Sequence, residues 1–261
     1  SFEASPSAAF AVAGVLFFTV APLGSRVSDQ DPEARSPMHS TMPTSVTLGP
    51  LQPLQVKSPN GDPCFTIQGS VNRTDMPPTP SGYGPGVTVP VRYAMVDIRE
   101  EDTIFDDSYG VVITDEAGQF SRSFCDDDGW FDDTLEIYVR VRAELQYSGT
   151  KVVEVEDSSY IDEVYEYDSS VVSSGGGTLT FDLSMNTTQS GVFNIADAAL
   201  DAWTFWQESG GDRGSFHNFN EETEIHWEPG YVDDGSYYNP FWEEITIADD
   251  PSDPDQWDDS V

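Results

Sequence analysis

Hydrophobic and polar residues alternate with a period of two over most of the middle of the chain. The cleanest alternation predicts strands at Cys64–Val71, Val91–Arg99 and Leu135–Leu145. Shorter runs predict further strands at Val111–Thr114, Phe120–Phe124, Lys151–Glu156 and Thr178–Leu183, and Pro77–Pro90 is predicted to be a loop. Six or seven short strands separated by turn signals are typical of a β-sandwich, so residues 60–189 are predicted to form one.

Helical periodicity is concentrated in residues 190–208. Asn194 and Asp197 resemble a capping box, which predicts a helix that begins near Asn194 and ends at about residue 208, before Gly210 and Gly211. Its apolar face consists of Val192, Ile195, Ala196, Ala199, Trp203 and Trp206. Short strands are predicted at 224–230 and 242–248, with a turn at Tyr237–Pro240 between them. Residues 190–261 therefore read as a small α+β cap.

The first 59 residues are predicted to form a separate arm. Residues 8–20 are apolar at both parities, as in a strand buried on both faces, and are too short to span a bilayer, which takes about 20 apolar residues. Residues 21–59 contain seven prolines and are expected to be extended. The apolar run has three readings: a strand in its own sheet, a strand that fills a groove of a neighbouring subunit, or a signal or anchor segment. Its docking residues would be Phe10, Val12, Leu16, Phe18 and Val20.

The net charge of the chain limits the classes of molecule that it can bind. The 261 residues carry 47 acidic and 11 basic side chains, a formal net charge of −36. Such a field repels phosphate backbones, so nucleic-acid binding is not expected. Aromatic residues make up 12%, which favours a folded chain over an acidic disordered one. Residues 1–60 have a net charge of −1 and residues 61–261 one of −35, so a nearly neutral arm precedes a strongly acidic body.

Dense aspartate clusters are the best candidates for metal ligands. Calcium prefers six to eight oxygen ligands, and Asp-rich loops with Gly or Pro turns supply them. The alternative reading is a hydrated acidic surface suited to high salt. The two candidate calcium loops comprise Asp126, Asp127, Asp128, Asp132 and Asp133 in one, and Asp249, Asp250, Asp253 and Asp255 in the other.

The two cysteines, Cys64 and Cys125, are either free thiols or one disulfide that closes a loop of roughly 60 residues. Such a bridge is worth about 4 kcal/mol in the chain-entropy model, and an exported protein favours it. Two N-x-T sequons, at Asn72 and Asn186, are short patterns that recur by chance, so they do not decide the compartment.

The middle of the chain resembles a known family. Thr114, Asp115, Gly118 and Phe120 match the T-D-x-x-G-x-F turn of the transthyretin-like, or carboxypeptidase-regulatory-like, β-sandwich. The resemblance covers roughly residues 64–183. It implies a spacer, adhesion or assembly module that usually has no catalytic residues.

The C-terminal 70 residues resemble a second family, the stretch just upstream of the zinc helix in secreted metallopeptidase-like proteins. The similar segments are FNIADAALDAW, IHWEPG, YYNP and ITIADDPSDPDQWDDSV. The sequence contains no HExxH, and its three histidines, His39, His217 and His226, do not have zinc-ligand spacing. The resemblance implies either a fragment of a longer peptidase or a scaffold without the chemistry.

Together these patterns predict a non-enzymatic extracellular or cell-surface protein. The leading expectation is a structural subunit of a filament or other polymer of its own copies, held by N-terminal strand donation and by calcium between acidic loops. No GxSxG occurs, and the many acids make chance carboxylate pairs uninformative. The alternatives are the non-catalytic part of a secreted zinc metallopeptidase and a carbohydrate-binding adhesion module. In the latter, the aromatic residues of 203–242, including Trp227 and Trp242, would stack on sugars instead of packing between helix and strands.

Overall fold

The computed structural model describes residues 40–41, 44–48, 64–79, 82–101, 106–125, 134–157, 163–209, 222–230, 235–239 and 244–248. The chain divides into two compact units, residues 1–34 and 35–261, and every described residue belongs to the second. This second unit is mainly β, and its described residues include one α-helix.

The elements follow the alternating pattern of the sequence. In chain order they are β1 (Ser40–Thr41), β2 (Thr44–Leu48), β3 (Cys64–Asp75), β4 (Pro78–Thr79), β5 (Gly82–Tyr83), β6 (Val87–Pro90), β7 (Ala94–Glu100), β8 (Asp107–Ile113), β9 (Gln119–Cys125), β10 (Leu135–Tyr147), β11 (Thr150–Glu156), β12 (Glu166–Asp168), β13 (Val172–Ser174), β14 (Gly177–Ser184), α1 (Thr187–Glu208), β15 (Thr223–Trp227), β16 (Tyr237–Asn239) and β17 (Glu244–Ile247).

The larger sheet is organised around β10, the longest described strand. One edge of β10 pairs antiparallel with β7, which in turn pairs with β8. Its other partners are β13, β12 and β11, each antiparallel and each at a different stretch of β10. From β11 the sheet continues through β15 and β17, both parallel, to the antiparallel β16. The sheet is therefore mixed, and the strands predicted for the cap extend it.

The smaller sheet is organised in the same way around β3. This strand pairs in parallel with β14 and antiparallel with β9 and β6. At one end of the β3–β9 pair, Cys64 lies opposite Cys125, and the two form a disulfide. The predicted bridge is thus present, and it joins the ends of two strands that are already paired over seven residues.

The later part of the proline-rich arm is extended, as predicted, and takes part in both sheets. β1 pairs in parallel with β12 in the larger sheet, and β2 pairs antiparallel with β14 in the smaller one. Only two residues separate β1 from β2. This segment therefore connects the two sheets through backbone hydrogen bonds.

A single hydrophobic cluster contains buried side chains from both sheets and from α1. Phe65 and Ile67 come from β3, Ile137 and Val139 from β10, and Phe193 from the helix. On β10 the apolar residues alternate with charged ones, so one face of the larger sheet enters this core and the other does not. Helix α1 contacts β3, β10 and β11.

The helix begins earlier than predicted. Asn186 is the N-cap: its side-chain oxygen accepts from the backbone N–H of Gln189 at 2.9 Å, and the Gln189 side chain accepts from the backbone N–H of Asn186. The expected start at Asn194 was wrong, because Asn194 lies two turns inside the helix and hydrogen-bonds to β3. The end at Glu208 agrees with the prediction. Among the described residues, no helix combines the length and apolarity required to cross a membrane.

Two predicted loops contain strands. Within Pro77–Pro90, β6 pairs with β3 through Arg73 and Val89, and the short β4 and β5 pair with each other. Tyr237–Asn239, predicted as a turn, is strand β16 and pairs with β17. Both segments lack enough residues to show alternation, so only their tertiary partners define them as strands.

The contact between β3 and β14 gives a prediction about Gly69. A Cβ atom at Gly69 would lie 1.9 Å from the backbone oxygen of Phe181, so Gly69→Ala must push the two strands apart. We expect a loss of about 1–3 kcal/mol in the free energy of unfolding, measured by denaturant titration. Gly86→Ala is the control: its Cβ would lie 2.7 Å from the methyl carbon of the Thr74 side chain and 4.0 Å from the backbone oxygen of Asp75, so a change of ~0.5 kcal/mol is expected. Equal effects of the two substitutions would contradict this account of the strand pair.

Candidate functional site: the charged face of the larger sheet

The face of the larger sheet that does not enter the core is lined with charged side chains. On β10 this face carries Arg140, Arg142 and Glu144, which alternate with the buried Val139, Val141 and Ala143. Cross-strand register extends it over the neighbouring strands. We call this surface the charged face, and it comprises Asp97, Arg99, Arg140, Arg142, Glu144, Lys151, Glu154, Glu156, Glu166, Asp168, Glu222, Glu224, His226 and Glu244.

A row of four glutamates crosses this face. Glu144 lies opposite Glu154, Glu154 opposite Glu224, and Glu224 opposite Glu244, on β10, β11, β15 and β17. Neighbouring strands are roughly 4.8 Å apart, and like charges directly opposite one another destabilise a sheet. The row therefore requires positive charge nearby.

Lys151 supplies part of that charge. Its ammonium nitrogen lies 2.9 Å from Glu154 and 3.2 Å from Glu222. Burial lowers the pKa of Lys151, but the hydrogen bond to Glu154 and the charges of Glu154, Glu222 and Glu144 outweigh burial and raise the pKa overall. The lysine is thus held in its charged form among the glutamates.

One lysine does not neutralise the whole row. Burial raises the pKa of Glu224, and the charges of Glu154, Glu222 and Glu244 raise it further, while His226 acts in the opposite direction. The imidazole Nε2 of His226 lies 3.7 Å from Glu244, and its Nδ1 lies 3.5 Å from the backbone oxygen of Asp157. Glu224 consequently binds a proton more readily than an isolated glutamate does.

The other half of the charged face is balanced by arginines. Arg140 makes a two-point contact with Asp168, with N–O distances of 2.7 and 2.8 Å, and lies 3.0 Å from Glu166. Arg142 lies 3.1 Å from Glu166 and 3.3 Å from Glu144. The hydrogen bond to Asp168 raises the pKa of Arg140, which keeps the guanidinium charged.

Three glutamates have the geometry of a small cation site. One carboxylate oxygen each from Glu154, Glu222 and Glu224 lies within 4.8 Å of the others. Carboxylates are the ligands that calcium prefers, but Lys151 already places an ammonium group against two of the three. The arrangement can therefore attract a cation, while direct ligation by all three side chains would compete with the lysine.

A second charged cluster fixes the helix to the sheets. Arg73, which is buried on β3, donates to Asn194 and lies 2.7 Å from Asp197. Arg92 lies 2.6 Å from Asp197 and 2.8 Å from Asp201. These contacts use both carboxylate oxygens of Asp197, and they position α1 against β3 and the segment before β7.

Most of the predicted site residues lie outside the described part of the chain. All nine aspartates of the two predicted calcium loops, Asp126, Asp127, Asp128, Asp132, Asp133, Asp249, Asp250, Asp253 and Asp255, lie outside the described residues. The predicted docking residues Phe10, Val12, Leu16, Phe18 and Val20 also lie outside them. Cys64 and Cys125 form the bridge described above.

The glutamate row was not predicted from the sequence. Its members are separated by up to 100 positions along the chain, and only strand register brings them together. The alternation around Arg140 and Arg142 does show that β10 has a charged face. The glutamates that continue the row lie on β15 and β17, which were predicted to belong to a separate cap.

The expectation that Trp227 stacks on a sugar is not compatible with its position. Trp227 is 2% exposed and packs against Tyr165, whose hydroxyl donates to the Trp227 backbone oxygen at 2.7 Å. Trp203, at the start of the aromatic segment 203–242, contacts Tyr147 edge to face. These two tryptophans serve packing, and Trp242 lies outside the described residues.

Comparison with known proteins identifies no family. No family model matches the sequence, and no curated protein matches it. Among solved structures, a 9R-lipoxygenase from Cyanothece PCC8801 aligns at 13% identity with a TM-score of 0.28. The alignment covers 59% of this chain and 24% of the lipoxygenase chain. At that score the similarity carries no argument about fold or function.

The helix-anchoring cluster predicts unequal effects at its two aspartates. Asp197→Asn removes the charge that faces both Arg73 and Arg92, and leaves the buried Arg73 without an opposite charge among the described residues. We expect a loss of about 3 kcal/mol in the free energy of unfolding. Asp201→Asn is the matched control, because Asp201 is 64% exposed and, of the two arginines, pairs with Arg92 alone. We expect this substitution to cost less than about 1 kcal/mol. Chemical denaturation of both variants tests the ranking, and equal losses would refute it.

The glutamate row predicts that removing one charge stabilises the protein. Because the folded state raises the pKa of Glu224, ionising this group opposes folding at neutral pH. Glu224→Gln should therefore raise the melting temperature at pH 7, and the gain should disappear below pH ~4, where the glutamate is protonated in both states.

Glu136→Gln is the control for this prediction. Glu136 is exposed on β10 and accepts from Ser173, outside the glutamate row. It should show no comparable gain in melting temperature. A Glu224→Gln variant that melts at or below the wild-type temperature at pH 7 would show that repulsion within the row is already fully compensated.

Proposed function

We propose that this chain is a non-catalytic structural protein of the extracellular space or cell surface, and a subunit of a filament or other polymeric assembly. The observation that carries the proposal is the use of the scarce positive charges. Of the seven basic residues in the described part of the chain, six lie in ion pairs, and five of these six join neighbouring segments of a sheet or fix the helix. The sixth, Arg99, pairs with Asp97 on its own strand. The seventh, Arg122, donates to the backbone oxygen of Val111.

This use of charge favours a structural role. Arg140, Arg142 and Lys151 face carboxylates of neighbouring sheet segments. Arg73 and Arg92 face a carboxylate of α1, so the charge of these five residues goes into holding the elements together. Because the chain has 36 more acidic than basic groups, its basic residues cannot neutralise most of its negative charge. We infer that cations from the surrounding solution balance the remaining negative charge of the surface.

We propose that the two sheets form a transthyretin-like sandwich. Three observations support this arrangement: both sheets contribute to one hydrophobic cluster, Tyr109 of β8 stacks on Phe124 of β9 at 4.2 Å, and the turn between those strands has the expected local structure. In that turn, Asp115 accepts from the backbone N–H groups of Ala117 and Gln119, and Gly118 has a positive φ of 70°. In the family that the turn resembles, such sandwiches commonly serve as spacer, adhesion or assembly modules.

The extracellular placement rests on chemistry that suits an oxidising, cation-rich medium. The Cys64–Cys125 bridge persists only where thiols are not kept reduced. The self-repulsion of a chain with net charge −36 is reduced by salt or by bound divalent cations. We propose calcium for this role, bound by the acidic loops and attracted by the Glu154, Glu222 and Glu224 cluster.

Assembly is proposed to use the apolar N-terminal run as a donated strand. β1 and β2 tie the arm to both sheets from Ser40 onward, which gives the preceding segment a fixed base. The twenty Cα–Cα steps from Val20 to Ser40 can span at most about 66–72 Å. A segment of that length could carry the apolar run to the sheet of another copy.

The strand-donation proposal predicts that charges within the apolar run abolish assembly. The full chain carrying Val12→Asp, Leu16→Asp and Phe18→Asp should sediment as a monomer under conditions in which the wild-type chain forms polymers. The control carries Ser1→Asp, Ser5→Asp and Ser7→Asp, which add the same three charges just outside the run, and should still assemble. Polymers of unchanged size from the first variant would rule out docking through this strand.

The calcium proposal predicts that assembly depends on divalent cations and not only on ionic strength. Polymers formed in calcium should dissociate when the ion is chelated and re-form when it is restored. Sodium chloride at equal ionic strength is the control, because it screens charge without bridging carboxylates. Polymers that persist equally in sodium chloride with chelator would show that screening alone suffices and that no calcium bridge is needed.

A further inference from the structure

We propose that Asn186 carries an N-linked glycan, an inference that rests on the proposed extracellular placement. The sequence contains two N-x-T sequons, Asn72-Arg73-Thr74 and Asn186-Thr187-Thr188. A sequon is a short pattern, so the fold has to decide whether either asparagine can hold a glycan. The two sites differ in exposure and in how their side-chain amides are used.

The side chain of Asn186 is exposed, and only its oxygen takes part in the helix cap. Asn186 Oδ1 accepts from the backbone N–H of Gln189 at 2.9 Å, and the backbone N–H of Asn186 donates to Gln189 Oε1 at 2.9 Å. Neither hydrogen bond uses the amide nitrogen Nδ2, the atom to which an N-linked sugar is attached. A glycan at Asn186 therefore leaves the cap of α1 intact.

Asn72 is placed less favourably. It lies within β3, where β14 pairs along one edge through Ser184 and β6 pairs along the other through Pro90. Its side chain is half-buried, and Nδ2 donates to Ser70 Oγ at 3.2 Å, while Ser70 donates to Asp182. A sugar at this nitrogen would have to fit among side chains of three adjoining strands.

The middle residue of each sequon strengthens the contrast. Arg73 is buried and contacts Asn194 and Asp197 of α1, so the Asn72 sequon forms part of the helix-anchoring cluster. Thr187 is exposed in the first turn of α1. The Asn186 sequon thus lies at the surface, at the junction between β14 and the helix.

The two acceptor asparagines are close to each other in the fold. Asn72 is the register partner of Ser184, and the backbone N–H of Met185 donates to the Asn72 oxygen at 2.8 Å. A bulky, hydrated glycan on Asn186 would cover this corner of the smaller sheet. We therefore expect one glycan, on Asn186, and an unmodified Asn72.

The modification is a glycosyl transfer that involves no oxidation or reduction. A transferase would supply a sugar activated at its anomeric carbon by a phosphate or pyrophosphate leaving group. Asn186 Nδ2 forms a bond to the anomeric carbon, the carbon–oxygen bond to the leaving group breaks, and its electron pair departs with the phosphate. The amide nitrogen gives up one proton to a base of the transferase.

The test is site-resolved mass spectrometry of the full chain secreted from a host that glycosylates N-x-T sequons. Suitability of the host is established with Ser148→Asn, which creates a sequon with Gly149 and Thr150 in the exposed β10–β11 turn. Ser148 already has a positive φ of 52°, a conformation that asparagine tolerates. Cleavage after acidic residues gives a peptide of residues 183–197 that contains only the Asn186 sequon.

In a host that modifies Ser148→Asn, we expect the wild-type peptide 183–197 to carry a glycan. The glycan should be lost in Thr188→Ala, which leaves Asn186 in place, and in Asn186→Asp, which keeps the capping oxygen and should not lower the melting temperature. Thr74→Ala, which removes the Asn72 sequon, should leave the glycan mass unchanged.

An unmodified Asn186 in a host that modifies Ser148→Asn would overturn the proposal, as would a glycan found on Asn72 alone. Either result would leave the assembly proposal untouched, because polymer formation is measured separately with the Val12, Leu16 and Phe18 substitutions. Conversely, a modified Asn186 on a chain that stays monomeric would support the glycan site and count against the filament.

Discussion

Repulsion among carboxylates is the constraint on which the rest of this structure depends. The chain folds with 47 acidic and 11 basic groups, so each positive charge must offset several negative ones. Lys151 faces two glutamates, Arg140 faces Glu166 and Asp168, and Arg142 faces Glu144 and Glu166. Basic residues are thus placed where strand pairing forces acids together. Exposed acids elsewhere can be left to solvent cations, because screening by salt is effective at the surface.

The scarcity of basic residues also explains how the helix is held. Arg73 and Arg92 converge on Asp197, and Asn194 adds neutral hydrogen bonds to β3. A buried arginine is costly unless it is paired and hydrogen-bonded, and here both conditions are met. The disulfide and the two arm strands act at other places: Cys64–Cys125 joins the ends of β3 and β9, while β1 and β2 link the two sheets. Each device adds a connection without adding charge.

The sequence predicted those parts of the fold that local patterns determine. Alternation in Leu135–Leu145 identified β10, and the apolar periodicity that begins at Val192 and Ile195 identified α1, because both depend only on which face is buried. The helix start was misplaced because Asn194 and Asp197 have capping-box spacing, although their side chains contact Arg73 and Arg92 instead. The strands β1, β2 and β16 have two, five and three residues, and only their pairing partners define them as strands. Local patterns carry no information about such partners.

The candidate site shows the same limit in sharper form. Glu144 and Glu154 could be matched from the β10–β11 hairpin, whose turn is short, but Glu224 and Glu244 join the row only because β15 and β17 add to the sheet in parallel. A parallel register has no hairpin to fix it, so the sequence gives no way to align Glu154 with Glu224. Such an alignment is unfavourable for stability, because it places like charges opposite each other. Arg142 and Lys151 offset part of this cost within the chain, and cations bound in the proposed assembly would offset more of it.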